Sequence, residues 1–167
     1  MSVHDITLRI NGQAYQLQVD SNERLVHVIR ERLNLTGTKT NCLLGVCGTC
    51  TIIMDGQAVN SCSILAVEAD EKAITTVEGL ANGEDLHPLQ QAFMEKGAVQ
   101  CGYCTPGMLM SMKALLDETP EPTEEEIRRA MVGNLCRCTG YEKIVDAVQA
   151  AAQTREEEPS WAPSASR

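Results

Sequence analysis

Eight cysteines fall in two groups of four, and their spacing is the strongest chemical signal in the chain. Cys42, Cys47, Cys50 and Cys62 read C-x4-C-x2-C-x11-C. The first two spacings match the plant-type pattern for a [2Fe–2S] cluster held by four thiolates. Such a cluster needs a loop that bends sharply and turns N–H groups toward sulfur, which glycines allow. Gly45 and Gly48 flank Cys47 here. The alternatives are a four-cysteine zinc site or buried free thiols. Zinc sites usually join C-x2-C to a second short pair, whereas this quartet puts three cysteines in one tight loop and a lone fourth beyond it.

The second quartet is Cys101, Cys104, Cys136 and Cys138, a C-x2-C and a distant C-x-C. Thr105 follows Cys104 and Thr139 follows Cys138, and both threonines read as helix N-caps. Each cysteine pair is thus placed at a helix start, where partial positive charge and free N–H groups favour thiolates and an anionic cluster. By spacing alone, a tetrahedral zinc ion suits this quartet as well. Two complete ligand sets imply two metal centres, and two centres imply electrons passing between them.

The elements that must position these ligands change character along the chain. Val3, Ile6, Leu8 and Ile10, then Tyr15, Leu17 and Val19, alternate with polar residues around Asn11-Gly12, a hairpin signal. Leu25, Val28, Ile29 and Leu33 have helical spacing. A second hairpin turns at Asp55-Gly56, between Thr51–Met54 and a return over 58–61, and residues 73–77 (AITTV) read as a last strand. Two strands, a helix and a further hairpin fit a β-grasp domain over residues 1–78. From residue 85 the period is helical: Leu89, Ala92 and Phe93, then Met108 to Leu116 after Thr105-Pro106, then two capping boxes, Thr123-x-x-Glu126 and Thr139-x-x-Glu142. The predicted class is α+β: a β-grasp domain, an all-α four-helix domain over 79–153, and a loose Pro/Ser-rich tail over 154–167 that carries Trp161.

Aromatic residues make up only 3% of the 167-residue chain, so neither half has a large aromatic core and bound metal is expected to contribute to order. A net charge of -9 argues against a nucleic-acid surface, which needs clustered Lys and Arg. No window has the apolar length of a membrane span, and the start, MSVHDITLRINGQ, lacks the pattern of a signal peptide. A cytoplasmic setting is expected, which keeps thiols reduced and available to metal. His4, His27 and His87 are far apart; His27 reads as a packed or surface residue of the first helix, and His87-Pro88 as a helix entry. The methionines at 108, 110 and 112 read as packing, and there is no G-x-G-x-x-G motif.

The strings VQCGYCTPGM (99–108) and GNLCRCTGY (133–141), after TGTKTNC…GVCGTC (36–50), closely resemble the small iron–sulfur subunit of molybdenum hydroxylases. These are the xanthine dehydrogenase, aldehyde oxidase and carbon monoxide dehydrogenase family. The resemblance runs from about residue 3 to 152. It implies a plant-type ferredoxin domain and a four-helix domain, each holding one [2Fe–2S] cluster through the two quartets. It further implies a large partner subunit with a molybdenum–pterin cofactor and a medium one with FAD, as a dimer of heterotrimers. Electrons would enter at the helical-domain cluster and leave from the ferredoxin-type cluster. Gln100 matches the family glutamine that hydrogen-bonds the pterin, and Cys138 the ligand nearest to it. Arg137 lies between two ligands, placed either to offset cluster charge or in a surface salt bridge.

The chain departs from the family pattern at Asn41, usually glycine, at Leu43 and Leu44, commonly polar, and at Thr49, usually alanine or serine. Asparagine at 41 can supply a left-handed turn, and the leucines suit either a dry interface with the flavin subunit or local packing. Cys104-Thr105-Pro106-Gly107 differs from the CQSG of some periplasmic relatives and agrees with the cytoplasmic, flavin-linked branch. An electron-transfer subunit is the leading reading. A free two-cluster ferredoxin and a zinc-stabilised binding module compete with it. The substrate of the whole enzyme lies with the large subunit.

Overall fold

Two hairpins open the sheet, and both turn through a pair of left-handed residues. Asn11 and Gly12 have φ of 52° and 79°, and Asp55 and Gly56 have 49° and 84°. Such turns match the twist of paired strands. The computed structural model describes residues 2–157. Strands β1 (Val3–Ile10) and β2 (Gln13–Asp20) pair in antiparallel register from Val3 opposite Asp20 to Ile10 opposite Gln13. Strands β3 (Thr51–Met54), β4 (Gln57–Asn60) and β5 (Ala73–Thr75) complete a five-stranded sheet of order β2-β1-β5-β3-β4. β5 runs parallel to β1 and antiparallel to β3.

The amphipathic segment after β2 folds as a short helix α1 (Leu25–His27) that widens into a π turn over Val28–Arg32, rather than as one α-helix. Its apolar side, Leu25, Val28 and Ile29, packs on Leu8, Ile10, Ile52 and Ile74 of the sheet. Beyond the sheet come α2 (Pro88–Glu95), α3 (Thr105–Glu118), α4 (Glu124–Ala130) and α5 (Glu142–Glu157). They enclose a second core around Leu89, Phe93, Met108, Met112, Ile127 and Val148. The His87 ring caps α2, with Pro88 at its first turn, and the Thr123 hydroxyl caps α4. The mixed sheet and five helices make the chain α+β.

Local starts differ from expectation in two places. Cys104 itself is the N-cap of α3, so Thr105 is already helical. Thr139 caps nothing: Gly140 and Tyr141 follow in left-handed conformation, and α5 begins only at Glu142. The helix also reaches Glu157, so the first residues of the predicted tail are helical, while Trp161 lies outside the described residues.

Strand β3 is shared between the cores. Ile52 lies in the sheet core and Ile53 in the helical one, because successive side chains point to opposite faces.

Candidate iron–sulfur sites

The first quartet sits in the loop before β3 and just after β4. Arg24 donates to the Leu43 carbonyl, Asn60 Nδ2 to Gly45 O at 3.0 Å, and Thr51 Oγ1 to Gly48 O at 2.7 Å. Gly45 and Gly48 both have positive φ, 75° and 69°. The non-glycine left-handed residue of this loop is Leu43, at φ 54°, and not Asn41. Ser61 Oγ donates to Cys50 O at 2.7 Å, which brings Cys62 beside Cys50. Cys47, Cys50 and Cys62 are buried, whereas Cys42 is only half-buried.

Donors surround these sulfurs. Leu44 N–H lies 3.3 Å from Cys42 Sγ, and the Thr49 hydroxyl lies 3.3 Å from Cys47 Sγ. The Leu44 N–H, then the Cys47 thiol, pull the Cys42 thiol down to about 6. Burial pushes the Cys50 thiol up to about 12, despite the Cys62 N–H.

The second quartet is built from the loop before α3 and the loop between α4 and α5. Cys101 and Cys138 are exposed, with their sulfurs 3.5 Å apart, and Cys104 and Cys136 are half-buried beside each other. The Thr139 hydroxyl and N–H donate to Cys136 Sγ at 3.1 and 3.4 Å. The Tyr141 hydroxyl accepts from Cys136 N–H at 2.8 Å. Burial, then Cys136, drives the Cys104 thiol up to about 12. Burial also acts to raise Cys136, but the Thr139 donors, with the Cys138 N–H and the Cys104 thiol, together outweigh it and leave that thiol lowered. Sharing a proton with Cys101 raises Cys138.

Both quartets therefore present thiols two by two: Cys42 with Cys47, Cys50 with Cys62, Cys101 with Cys138 and Cys104 with Cys136. Two sulfurs on one tetrahedral ion stand about 3.8 Å apart, close to the spacing of the Cys101–Cys138 pair. Among the described residues, no three His, Cys, Asp or Glu side chains converge as ligands of a single ion. A dinuclear cluster, with two thiolates on each iron, fits that donor set better than one zinc.

The loops of the two quartets touch. Leu135 N–H donates to Cys47 O at 3.0 Å, Asn134 Nδ2 to Gly48 O at 3.0 Å, and the Tyr103 hydroxyl to Thr40 O. Nothing in the spacing of Tyr103 or Asn134 along the sequence shows what they meet across the chain. Gln100 is exposed next to Cys101, and Arg137 is exposed between Cys136 and Cys138.

Comparison with known proteins finds a cluster-binding family along each half of the chain. A 2Fe-2S iron–sulfur cluster binding domain matches residues 8–81, and a [2Fe-2S] binding domain matches residues 76–149. The chain is 52% identical over 148 residues to the nicotinate dehydrogenase small FeS subunit of Eubacterium barkeri, covering 89% of this chain and 94% of that one. It is 51% identical over 144 residues to the nicotine 6-hydroxylase small subunit of Paenarthrobacter nicotinovorans, covering 86% of this chain and 87% of that one. Among solved structures, quinoline 2-oxidoreductase from Pseudomonas putida 86 superposes with a TM-score of 0.89 at 46% identity, over 93% of this chain and 98% of that chain. With both cluster-binding domains present and such likeness along its length, the chain belongs to the family of small iron–sulfur subunits of molybdenum hydroxylases, oxidoreductases in which it serves electron transfer through two [2Fe–2S] clusters.

Proposed function

We propose that Cys42, Cys47, Cys50 and Cys62 hold one [2Fe–2S] cluster and that Cys101, Cys104, Cys136 and Cys138 hold the other. The two-by-two placement of thiols in both quartets carries this reading. A bound cluster supplies reversible one-electron chemistry. The chain's own residues set the conditions for it. Leu44 N–H and the Thr139 donors face Cys42 and Cys136 and favour their anionic form, and the Thr49 hydroxyl lies beside Cys47 Sγ.

The domains are read as a β-grasp unit over 1–78 and a four-helix unit over 79–153. Electrons pass from a molybdenum–pterin site on a large subunit to FAD on a medium subunit, in a dimer of heterotrimers. They enter beside Gln100 and Cys138 and leave past the 42–50 loop. Gln100, Cys101 and Cys138 share an exposed edge, which supports entry there and a hydrogen bond from Gln100 to the pterin. Leu44, Val46, Val132 and Leu135 are exposed on the segments that carry or adjoin the ligands, the apolar surface that partner subunits would cover. Among the described residues no helix is long and apolar enough to cross a membrane.

Purification of the full chain with its accompanying subunits tests this reading. About four irons and equal sulfide per chain are expected, with flavin and molybdenum in the copurifying subunits. Zinc in place of iron, or a fully active free monomer, would sink it. Cys138→Ser should disturb one of two EPR signals in the reduced complex and block flavin reduction. Two unaltered signals with normal turnover would refute the second ligand set.

A further inference from the structure

Three chain segments meet at one point between the quartets. Gly48 lies between Cys47 and Cys50, Gly107 lies three residues after Cys104, and Asn134 lies two residues before Cys136. The approach leaves no room for side chains. A Cβ on Gly48 would stand 2.3 Å from Gly133 O and 2.5 Å from Asn134 Nδ2, and one on Gly107 would stand 2.1 Å from Gly48 O. Asn134 is only 4% exposed and fills the centre of this junction. Its Nδ2 donates to Gly48 O at 3.0 Å and to Thr51 Oγ1 at 3.3 Å, while its Oδ1 accepts from Ser111 Oγ at 2.7 Å. One amide thus ties the first-quartet loop, strand β3 and helix α3 to the backbone that presents Cys136 and Cys138.

The support is uneven. Gly48 O already accepts from Thr51 Oγ1 at 2.7 Å and Thr51 N–H at 3.2 Å, and Asn60 holds Gly45 O, so the first loop is braced from within its own sheet. The segment before Cys136 is braced in its own half by Asn134 N–H to Met131 O at 2.8 Å and Cys136 N–H to the Tyr141 hydroxyl at 2.8 Å, but it also leans on the first loop. Asn134 and Leu135 reach across to Gly48 O and Cys47 O, acceptors that exist only once the first loop has turned. The Val132–Leu135 stretch belongs to no helix, and Val132 is 77% exposed.

We infer that Asn134 is a positioning residue that makes formation of the second cluster site depend on the folded loop of the first, so that the two sites are completed in that order. The dependence acts through preorganisation: a thiolate pair held in place before metal arrives binds without the cost of ordering it. This rests on the two quartets being the ligand sets.

The test compares the two reduced-state EPR signals in the complex purified with the full chain. About four irons per chain in the unaltered complex secures the two-cluster reading separately. Asn134→Ala is expected to lower the second signal about fivefold relative to the first, the factor set by one net hydrogen bond. Asn134→Asp keeps the size and the acceptor for Ser111 but loses the Nδ2 donor. It is expected to deplete the second signal alike, and it keeps the test open where the alanine variant does not fold. Ser111→Ala, which leaves both Nδ2 contacts, should hold the ratio. Gly48→Ala, whose Cβ would meet Gly133 O at 2.3 Å from a left-handed residue, displaces the first loop's acceptor and should deplete the second signal as well.

An unchanged signal ratio in the Asn134 variants would overturn the inference. So would equal loss of both signals in step with a falling thermal midpoint, which is general instability, or a full second signal in a folded Gly48→Ala complex.

Discussion

Thr139 shows how one hydroxyl serves the second site. It donates to Cys136 Sγ at 3.1 Å and accepts from Tyr141 N–H at 3.3 Å. A donor to a ligating sulfur stabilises the more negative, reduced form and raises the potential. Thr139→Val should therefore lower the potential of one cluster by about 40 mV, the one-electron equivalent of a hydrogen bond worth about 1 kcal/mol. Thr139→Ser should restore it. EPR-monitored redox titration reads both, and an unmoved potential in the valine variant would exclude the role. Gly107 gives a steric counterpart. Its φ is not positive, but an added Cβ would meet Gly48 O at 2.1 Å, so Gly107→Ala should cost about 1–3 kcal/mol, seen in denaturant midpoints. At this scale the grouping of the cysteines was legible, and the thiols within each expected quartet do lie beside one another in pairs. The left-handed residue was not: Asn41 has the better propensity, yet Leu43 takes that conformation, with its carbonyl held by Arg24 and its side chain on the Val26, Cys50 and Cys62 cluster.

At the scale of elements, turn and cap chemistry foretold most starts. The two hairpins, the entry at His87-Pro88 and the α4 capping box follow from residues adjacent in sequence. The second capping box failed because Thr139 is spent on Cys136 and two left-handed residues delay α5 to Glu142. Neither α1's π turn nor its length is visible in periodicity, since Leu33 N–H bonds Val28 O five residues back while the apolar spacing stays helical. The α4 box also carries a pH prediction. The Thr123 N–H, then its hydroxyl, hold the Glu126 carboxyl below its ordinary value. The folded value is the depressed one, so the bond contributes above the ordinary carboxylate range and is lost as pH falls through the lowered folded value. Thr123→Ala should cost about 1 kcal/mol at neutral pH and make stability fall less steeply on acidification. Denaturant midpoints at neutral and acid pH check this, and equal loss at both would refute the link to Glu126.

For the whole molecule, the change of period from which a boundary near residue 78 is expected leaves unstated how the halves pack. Contacts such as Asn134 to Gly48, 86 residues apart, leave no mark in spacing. Strand β3 makes the packing specific. Ile52 is fully buried in the sheet core, while Ile53, 8% exposed, belongs with Leu89, Phe93 and Met108 in the helical core. Thr51, on the same side as Ile53, meets Asn134. Both halves therefore share a load through one strand of four residues. Ile53→Ala opens a cavity in the helical core while its backbone stays in the sheet, with an expected loss of about 2–4 kcal/mol. If the halves open as one unit, that loss must reach both, since exchange through a common opening reports one free energy. Hydrogen exchange on the cluster-loaded chain should then show β1 and α3 amides losing protection together in Ile53→Ala. Loss confined to α3, with β1 unchanged, would mean that the halves open separately and that β3 is a contact between two independent folds.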